Sequence, residues 1–363
     1  MEQKPDFFLL IIFFIFLFLG ILVLASVSAP ISQKKFGDSF YYFRHQIIFG
    51  VIPGLILCLI FYKIDLNSLK KYSPALLIIS LILTAMVFIP NIGLTIKGGT
   101  RWIKVGSLSF QPSEFLKIFF IIYLAAWLES QSKKKETKNF YQTFFAFLVI
   151  LLLTSIFLLA QPDVSTLGVI FSTALVMFFL SKTPAWQTFL VLILAILLFI
   201  PLVKVAPYRL FRILTFLNPD FDPLGVGYQI KQSLIAIGSG KIFGLGFGLS
   251  QQKFGILPQP FTDAIFSVFA EETGFLGCLF LIILYLMFFW RCFKIGKERR
   301  EMFEKLLVFG ISFWICIQAF INIGAMAKIL PLSGIPLPFL SYGGSHLIAE
   351  MGAFGILLKI SKT

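Results

Sequence analysis

The chain has 363 residues, of which 58% are apolar, 17% aromatic and only 13% charged, and its mean hydropathy is +0.93. These values lie far outside the averages for soluble domains and make a lipid bilayer the solvent. The formal charge of +14 points to nucleic acid only while its distribution along the chain is ignored.

Apolar runs of roughly 17 to 25 residues, each able to cross about 30 Å of hydrocarbon as a helix, follow one another along the chain. They predict about ten transmembrane helices, at 7–28, 46–63, 74–91, 113–129, 143–160, 165–181, 186–204, 263–290, 306–327 and 338–359. The expected fold is an all-α polytopic membrane protein, a single integral membrane domain over 1–363. The first run has some features of a signal peptide. It is long, acids as well as Lys4 precede it and more spans follow, so it reads as a retained helix.

On these spans the basic residues divide by side. One side collects Lys4, Lys63, Lys70, Lys71, Lys133, Lys134, Lys135, Lys138, Lys182, the cluster between Arg291 and Lys305, and Lys359 and Lys362; the short loops of the other side hold fewer, among them Lys34, Lys35, Arg44, Lys97, Arg101, Lys104 and Lys328. The bias places both termini in the cytoplasm. It assigns the inner clusters to topology and anionic lipid headgroups, with no nucleic-acid partner. Cys58, Cys278, Cys292 and Cys316 lack metal-type spacing and read as core residues, and His45 and His346 are too few for a histidine-rich metal site.

The outer connections are the long ones. Segment 92–112, and above all 205–262 between helices 7 and 8, are rich in Gly, Pro, aromatic and basic residues, and long structured loops carry function. Within the second, 227–240 has the spacing of an amphipathic helix. The following GLGFGLSQQKFGILPQP has too many glycines and prolines for a span, so at membrane depth it must line a protein-walled cavity. No internal repeat stands out, which counts against an inverted-repeat transporter.

Charges within a bilayer cost several kcal/mol on most scales, so Glu114, Lys117, Asp163, Asp263, Glu271, Glu272 and Glu350 each need a partner, water or a boundary position. In GGTRWIKVGSLSFQPSEFLK, Pro112 suits the first position of a helix and Glu114 can reach back to its free N–H groups, with Lys117 one turn on. The group is either a capped helix with an internal ion pair or a substrate contact. Arg101 and Lys104 can meet a phosphate as readily as a lipid headgroup. In AQPDVST, Asp163 caps the next helix.

ILPQPFTDAIFSVFAEETGFLG places Asp263 at the boundary of a long apolar helix. There the helix terminus favours its ionised form and burial opposes it, a balance suited to a general base. The plainer alternative is an N-cap. Glu271 and Glu272 fall roughly 12 Å deeper at about 1.5 Å per residue, as structural glue or a water-accessible site. In PLSGIPLPFLSYGGSHLIAEMG, His346 and Glu350 share a helical face, and Gly343 and Gly344 permit close approach of a helix or a ligand.

Taken together, GGTRWIKVGSLSFQPSEFLK, AQPDVSTLG, NPDFDPLGVGYQIKQSLIAIGSGKIFGLGFG, SQQKFGILPQPFTDAIFSVFAEETGFLG and PLPFLSYGGS resemble the shape, elongation, division and sporulation (SEDS) family of membrane peptidoglycan polymerases, over nearly the whole chain. The third and fourth stretches look more like the FtsW than the RodA branch. The resemblance implies polymerisation of lipid II into β-1,4 glycan strands, with undecaprenyl pyrophosphate as leaving group, outside the cytoplasmic membrane. It also implies a class B penicillin-binding transpeptidase and other divisome or elongasome membrane proteins as partners.

The family's essential aspartate falls on Asp263, and its TRWI and QPSE positions on Arg101, Trp102, Gln111, Pro112, Ser113 and Glu114. Lys104, Lys117, Lys231, Ser341, Gly343 and Gly344 complete the expected substrate-binding set. Asp263 as general base would activate the acceptor hydroxyl, and cations drawn from Arg101, Lys104, Arg209, Arg212, Lys231 and Lys253 would stabilise the pyrophosphate. No resident cofactor is expected, with a divalent cation (Mg or Mn) left open. Where the family has acidic-Pro-His-Thr-Asp-Phe, this chain has Gln259, Pro260, Phe261, Thr262, Asp263 and Ala264, which puts substrate positioning or a metal contact in doubt. A lipid flippase and a noncatalytic scaffold are the other classes the sequence admits.

Overall fold

The computed structural model describes residues 4–96, 99–106, 108–133, 140–204 and 207–362. Lys97, Lys134, Lys135 and Lys138, used above in weighing the two sides, lie outside them. Every apolar run forms a helix: α1 (Phe7–Phe36), α2 (Tyr41–Lys63), α3 (Leu66–Met86), α4 (Pro112–Lys133), α5 (Phe140–Ala160), α6 (Val164–Leu180), α7 (Ala185–Lys204), α10 (Ile265–Glu298), α11 (Met302–Met326) and α12 (Gly344–Ser361). Two further helices, α8 (Pro207–Leu217) and α9 (Val226–Ser239), occupy the 205–262 segment. Among the described residues six helices are long and apolar enough to cross a bilayer: α1, α2, α3, α5, α10 and α11, with α6 and α7 shorter.

The expectation of an all-α chain is corrected between α3 and α4. Gly93–Ile96 (β1), Gly99–Val105 (β2) and Leu108–Phe110 (β3) form an antiparallel sheet in the order β1-β2-β3, with Leu94 opposite Trp102 and Ile103 opposite Phe110. Glycines at 93, 98, 99 and 106 interrupt the segment and disfavour a helix. Its β-branched and aromatic residues suit a pleated surface, and Gly106, at φ +62°, begins the return to β3.

The last expected span is also corrected. Residues 331–343 are not helical, and α12 starts only at Gly344. Pro331, Pro336 and Pro338 lack the N–H groups a helix would need, yet Leu337, Phe339 and Leu340 are buried. The main chain finds partners elsewhere: Leu337 N–H donates to Ser341 Oγ at 2.8 Å and Phe339 N–H to Glu350 Oε2 at 2.8 Å. Helix α1 lies directly against this loop, because a Cβ on Gly20 would stand 2.0 Å from the Phe339 carbonyl oxygen. On the other side α12 packs into α2 through small residues. A Cβ on Gly355 would meet the Cys58 oxygen at 2.2 Å, and one on Gly344 the Phe49 oxygen at 2.5 Å. Cys58 and Cys292 are buried and Cys278 and Cys316 half-buried, all as free thiols.

Helix α10 is broken at Gly274 (φ 68°, ψ −165°), and residues 241–246 are threaded into the break. Leu245 and Gly246 N–H groups donate to the Glu271 and Glu272 carbonyls at 3.0 Å each, and Phe275 and Leu276 N–H groups donate to the Lys241 and Ile242 carbonyls at 2.9 and 3.1 Å. The main-chain groups orphaned by ending one helix and starting another are thus paired with a loop. Residues 275–298 alone, about 36 Å at ~1.5 Å per residue, suffice to cross a bilayer. A Cβ on Gly274 would stand 2.3 Å from the Gly244 nitrogen, at a backbone conformation open almost only to glycine. Gly274→Ala is therefore expected to lower the thermal unfolding midpoint in detergent markedly, the strain alone costing about 1–3 kcal/mol; an unchanged midpoint would contradict a tightly threaded break.

Candidate functional site

The interior acids are held by partners. Glu271 accepts from Ser250 Oγ, from Gln251 N–H at 3.1 Å and from Gln252 N–H at 3.4 Å. Glu272 is paired with Lys253 Nζ at 2.7 Å and accepts from Ser26 Oγ at 2.8 Å. These adjacent carboxylates tie the SQQK loop to α10 and α1. Lys253, considered above for pyrophosphate, is 2% exposed and engaged in this buried pair.

A second network crosses α4, α11 and α12. Lys117 Nζ lies 2.8 Å from Glu114 Oε2 and donates to Gln318 Oε1 at 2.8 Å, which also accepts from Trp314 Nε1 at 2.9 Å. Gln318 Nε2 donates to Glu350 Oε1 at 3.4 Å and to the Pro336 oxygen at 3.2 Å. Glu114 thus turns to Lys117, one turn along its own helix. Gln111 N–H donates to Ser345 Oγ at 3.0 Å, and Gln111 Nε2 to the buried Ser113 Oγ at 3.1 Å. His346 Nε2 lies 3.0 Å from the Ser341 oxygen. Gly343 N–H donates to Gln46 Oε1 at 3.1 Å.

At one end of the bundle, four charged residues from distant parts of the sequence converge. Arg101 on β2 donates from Nε to the Gln161 oxygen at 3.1 Å and from Nη2 to the Pro162 oxygen, with Nη1 3.6 Å from Asp163 Oδ1. Asp163 also caps α6, accepting from Thr166 N–H at 3.3 Å and Thr166 Oγ1 at 2.9 Å, as its place in the sequence predicts. Arg212 on α8 reaches the Leu332 oxygen at 3.5 Å. Burial, and then the nearby Arg101 charge, push its guanidinium below its ordinary pKa, while Tyr208, Asp263 and Asp163 oppose the shift.

Asp263 is not the N-cap of α10. That position belongs to Ala264, which makes no side-chain capping bond, so the plainer alternative is set aside. Asp263 stands one residue further out, on a bend whose backbone turns at Gln259 (φ +53°), and its Oδ2 lies 3.8 Å from where a Cβ on Gly334 would be. Ser165 Oγ donates to the Ser333 oxygen at 2.6 Å, fixing the neighbouring loop to α6.

The remaining expected residues are more scattered. Trp102 is half-buried and Lys104 exposed on β2, and Lys231 on α9 pairs with Asp220 in an exposed bridge. Sequence reasoning passed over Gln318 and Asn322. Their signal was legible: two amides one turn apart in an otherwise apolar run, where a polar side chain needs a reason. Among the described residues no group of three or more His, Cys, Asp or Glu is placed to hold a metal ion.

The fold is that of a multi-pass membrane protein. The FtsW, RodA and SpoVE family, described as "Cell cycle protein", matches residues 7–363, and the chain belongs to it. Stage V sporulation protein E of Bacillus subtilis is 38% identical over 361 residues, covering 99% of this chain and 98% of that protein. A protein of Idiomarina loihiensis named probable peptidoglycan glycosyltransferase FtsW is 40% identical over 347 residues, 94% of this chain and 83% of its own. Among solved structures, one from a peptidoglycan synthase complex that coordinates polymerization and crosslinking superposes with a TM-score of 0.79 at 27% identity, covering 98% and 97% of the two chains. RodA of Thermus thermophilus superposes with a TM-score of 0.72 at 25% identity, covering 98% and 96%. The present chain is a multi-pass protein of the cytoplasmic membrane.

Because Glu272 and Lys253 are both almost fully buried, removing one charge strands the other. Lys253→Met is expected to destabilise the protein by about 3–5 kcal/mol, seen as a lower unfolding midpoint in detergent. The double variant Lys253→Met with Glu272→Gln should recover much of the loss, whereas additive losses would show that the two do not act as a pair.

Proposed function

We propose that this protein is a peptidoglycan glycosyltransferase that polymerises lipid II into β-1,4 glycan strands at the outer face of the cytoplasmic membrane, with Asp263 as general base. The observation that carries the reading is the gathering of Asp263, Arg212 and Arg101 at one end of the bundle, where a carboxylate and two guanidiniums come from segments far apart in sequence. Relatives named for this activity and a neighbour from a peptidoglycan synthase complex support it. The ten helices are proposed as ten spans with both termini in the cytoplasm and 205–262 outside, in line with the bias of the basic residues.

In this mechanism Asp263 takes the proton of the acceptor sugar's 4-hydroxyl as its oxygen attacks the anomeric carbon of the donor. The bond to lipid pyrophosphate breaks from the opposite face and the configuration inverts. Of the six cations considered, Lys253 is engaged with Glu272 and Lys231 with Asp220. Arg212 lies within electrostatic reach of both Arg101 and Asp263, and these two guanidiniums are assigned the leaving pyrophosphate. Trp102 and Lys104 belong to the rim formed by β2. Gln111, Ser113, Glu114, Lys117, Ser341, Gly343 and Gly344 shape the floor beneath the substrate. We assign the protein to cell division, beside a class B penicillin-binding protein and other divisome membrane proteins.

The flippase gains no support from the interior, where Glu114, Lys117, Gln318 and Glu350 are bonded to one another. Purified protein incubated with lipid II tests the reading. Asp263→Asn should lower glycan polymerisation by about 10²–10⁴-fold, and Arg212→Ala by roughly 10²-fold, with both variants folded. Polymerisation at the wild-type rate by Asp263→Asn would overturn the assignment. Transport of lipid II across vesicles without glycan synthesis would favour the flippase, and neither activity the scaffold.

A further inference from the structure

The segment that carries Asp263 belongs to no helix and no sheet, yet three successive carbonyls on it are each held by a different donor. The Phe261 oxygen accepts from Tyr342 N–H at 2.8 Å, the Thr262 oxygen from Ser341 Oγ at 2.7 Å, and the Asp263 oxygen from Asn322 Nδ2 at 2.9 Å. Tyr342 and Ser341 belong to the 331–343 loop. Asn322 belongs to α11 and is 1% exposed.

The amide of Asn322 does more than hold Asp263. Its nitrogen also donates to the Ile335 oxygen at 2.8 Å, so its two hydrogens join the aspartate's main chain to the loop that passes beside the carboxylate. Gly334, next along that loop, has φ +69°, and a Cβ there would stand 3.8 Å from Asp263 Oδ2. The partners fix the amide's orientation, since an oxygen in place of the nitrogen would face two carbonyl oxygens. Asn322 Oδ1 meanwhile has no hydrogen-bond partner among the described residues. One turn earlier on the same helix, Gln318 holds the Pro336 oxygen at 3.2 Å, so α11 grips the loop at two adjacent carbonyls.

We propose that Asn322 is a positioning residue for Asp263: through its doubly donating amide it sets where the aspartate's main chain lies relative to the 331–343 loop, and so where the carboxylate meets the acceptor hydroxyl. The inference rests on the reading of Asp263 as the general base. Only a side chain with two hydrogens on one nitrogen makes both bonds. Leucine, of nearly the same shape, makes neither, and serine can make one.

The test uses the purified full-length protein with lipid II across a pH series, with Asp263→Asn measured in parallel. Asn322→Leu is expected to lower kcat by about 10–100-fold, the scale of a small misplacement of a reacting group, with KM changed less than about twofold and the acid limb of the pH profile displaced. A folded Asn322→Leu protein with wild-type kcat and an unmoved limb overturns the proposal. Should that variant fail to fold, Asn322→Ser decides the matter. Lowered activity with a displaced limb supports positioning, and lowered activity with an unmoved limb shows a merely structural role and overturns it. Asp263→Asn separates the two ideas: if it is inactive while Asn322→Leu is normal, only the positioning falls, and if it polymerises normally the general-base reading falls first.

Discussion

Main chain that is neither helix nor closed sheet cannot stay at membrane depth unless the protein itself satisfies every N–H and carbonyl. Among the described residues two irregular stretches pair much of their main chain with the protein itself, and the second runs beside Asp263. Residues 241–246 do so by filling the break in α10 at Gly274, each side of the break paired with loop backbone. Residues 331–343 do so by bonding to Glu350, Ser341 and the amides of α11. The helices form the wall, and these two irregular stretches decide what the wall encloses.

The same requirement sorts the acidic residues. Glu271 and Glu272 are spent on a loop that would otherwise bring bare polar groups against α10, and Glu350 on the N–H of Phe339. Glu114 neutralises Lys117, and Asp163 joins a helix cap to Arg101. Each is an answer to the cost of burying charge or ending a helix. Asp263 is set apart by position: it lies outside the helix it precedes, on a segment held by its carbonyls, and Arg212 feels its charge.

Much of this was legible in the sequence because the bilayer imposes lengths. The ten helices, the α9 segment and the capping role of Asp163 follow from run length, periodicity and local chemistry. What was not legible depends on contacts between distant residues. Nothing local distinguishes Lys253 from Lys231, yet one is sealed against Glu272 and Ser26, the latter 227 residues away, and the other lies in an exposed bridge. The break in α10 hangs on a single glycine in an otherwise helical pattern, and the partner that makes it tolerable lies some thirty residues earlier. The sheet at 93–110 was hidden by reading Gly-rich chain between spans as loop, although Thr100, Ile103 and Val105 carry β propensity.

The three departures from the family pattern around Asp263 can be judged by what each side chain does here. Gln259 still offers an acceptor, because its Oε1 takes the Thr262 hydroxyl at 3.2 Å, a bond a carboxylate would also make. Phe261 fills an aromatic corner, its ring 4.8 Å from that of Tyr42 and 5.6 Å from that of Tyr342, whose hydroxyl in turn lies 2.9 Å from His45 Nδ1. An imidazole is therefore still present, one aromatic ring removed and supplied by α2. Ala264 is wholly buried at the N-cap, where its N–H donates to the Gln259 oxygen at 3.2 Å. The bonds that fix the segment run through main-chain atoms, which none of the three substitutions removes. The chain can therefore vary its side chains beside the aspartate while its neighbours, Asn322 foremost, keep the carboxylate's main chain in one place.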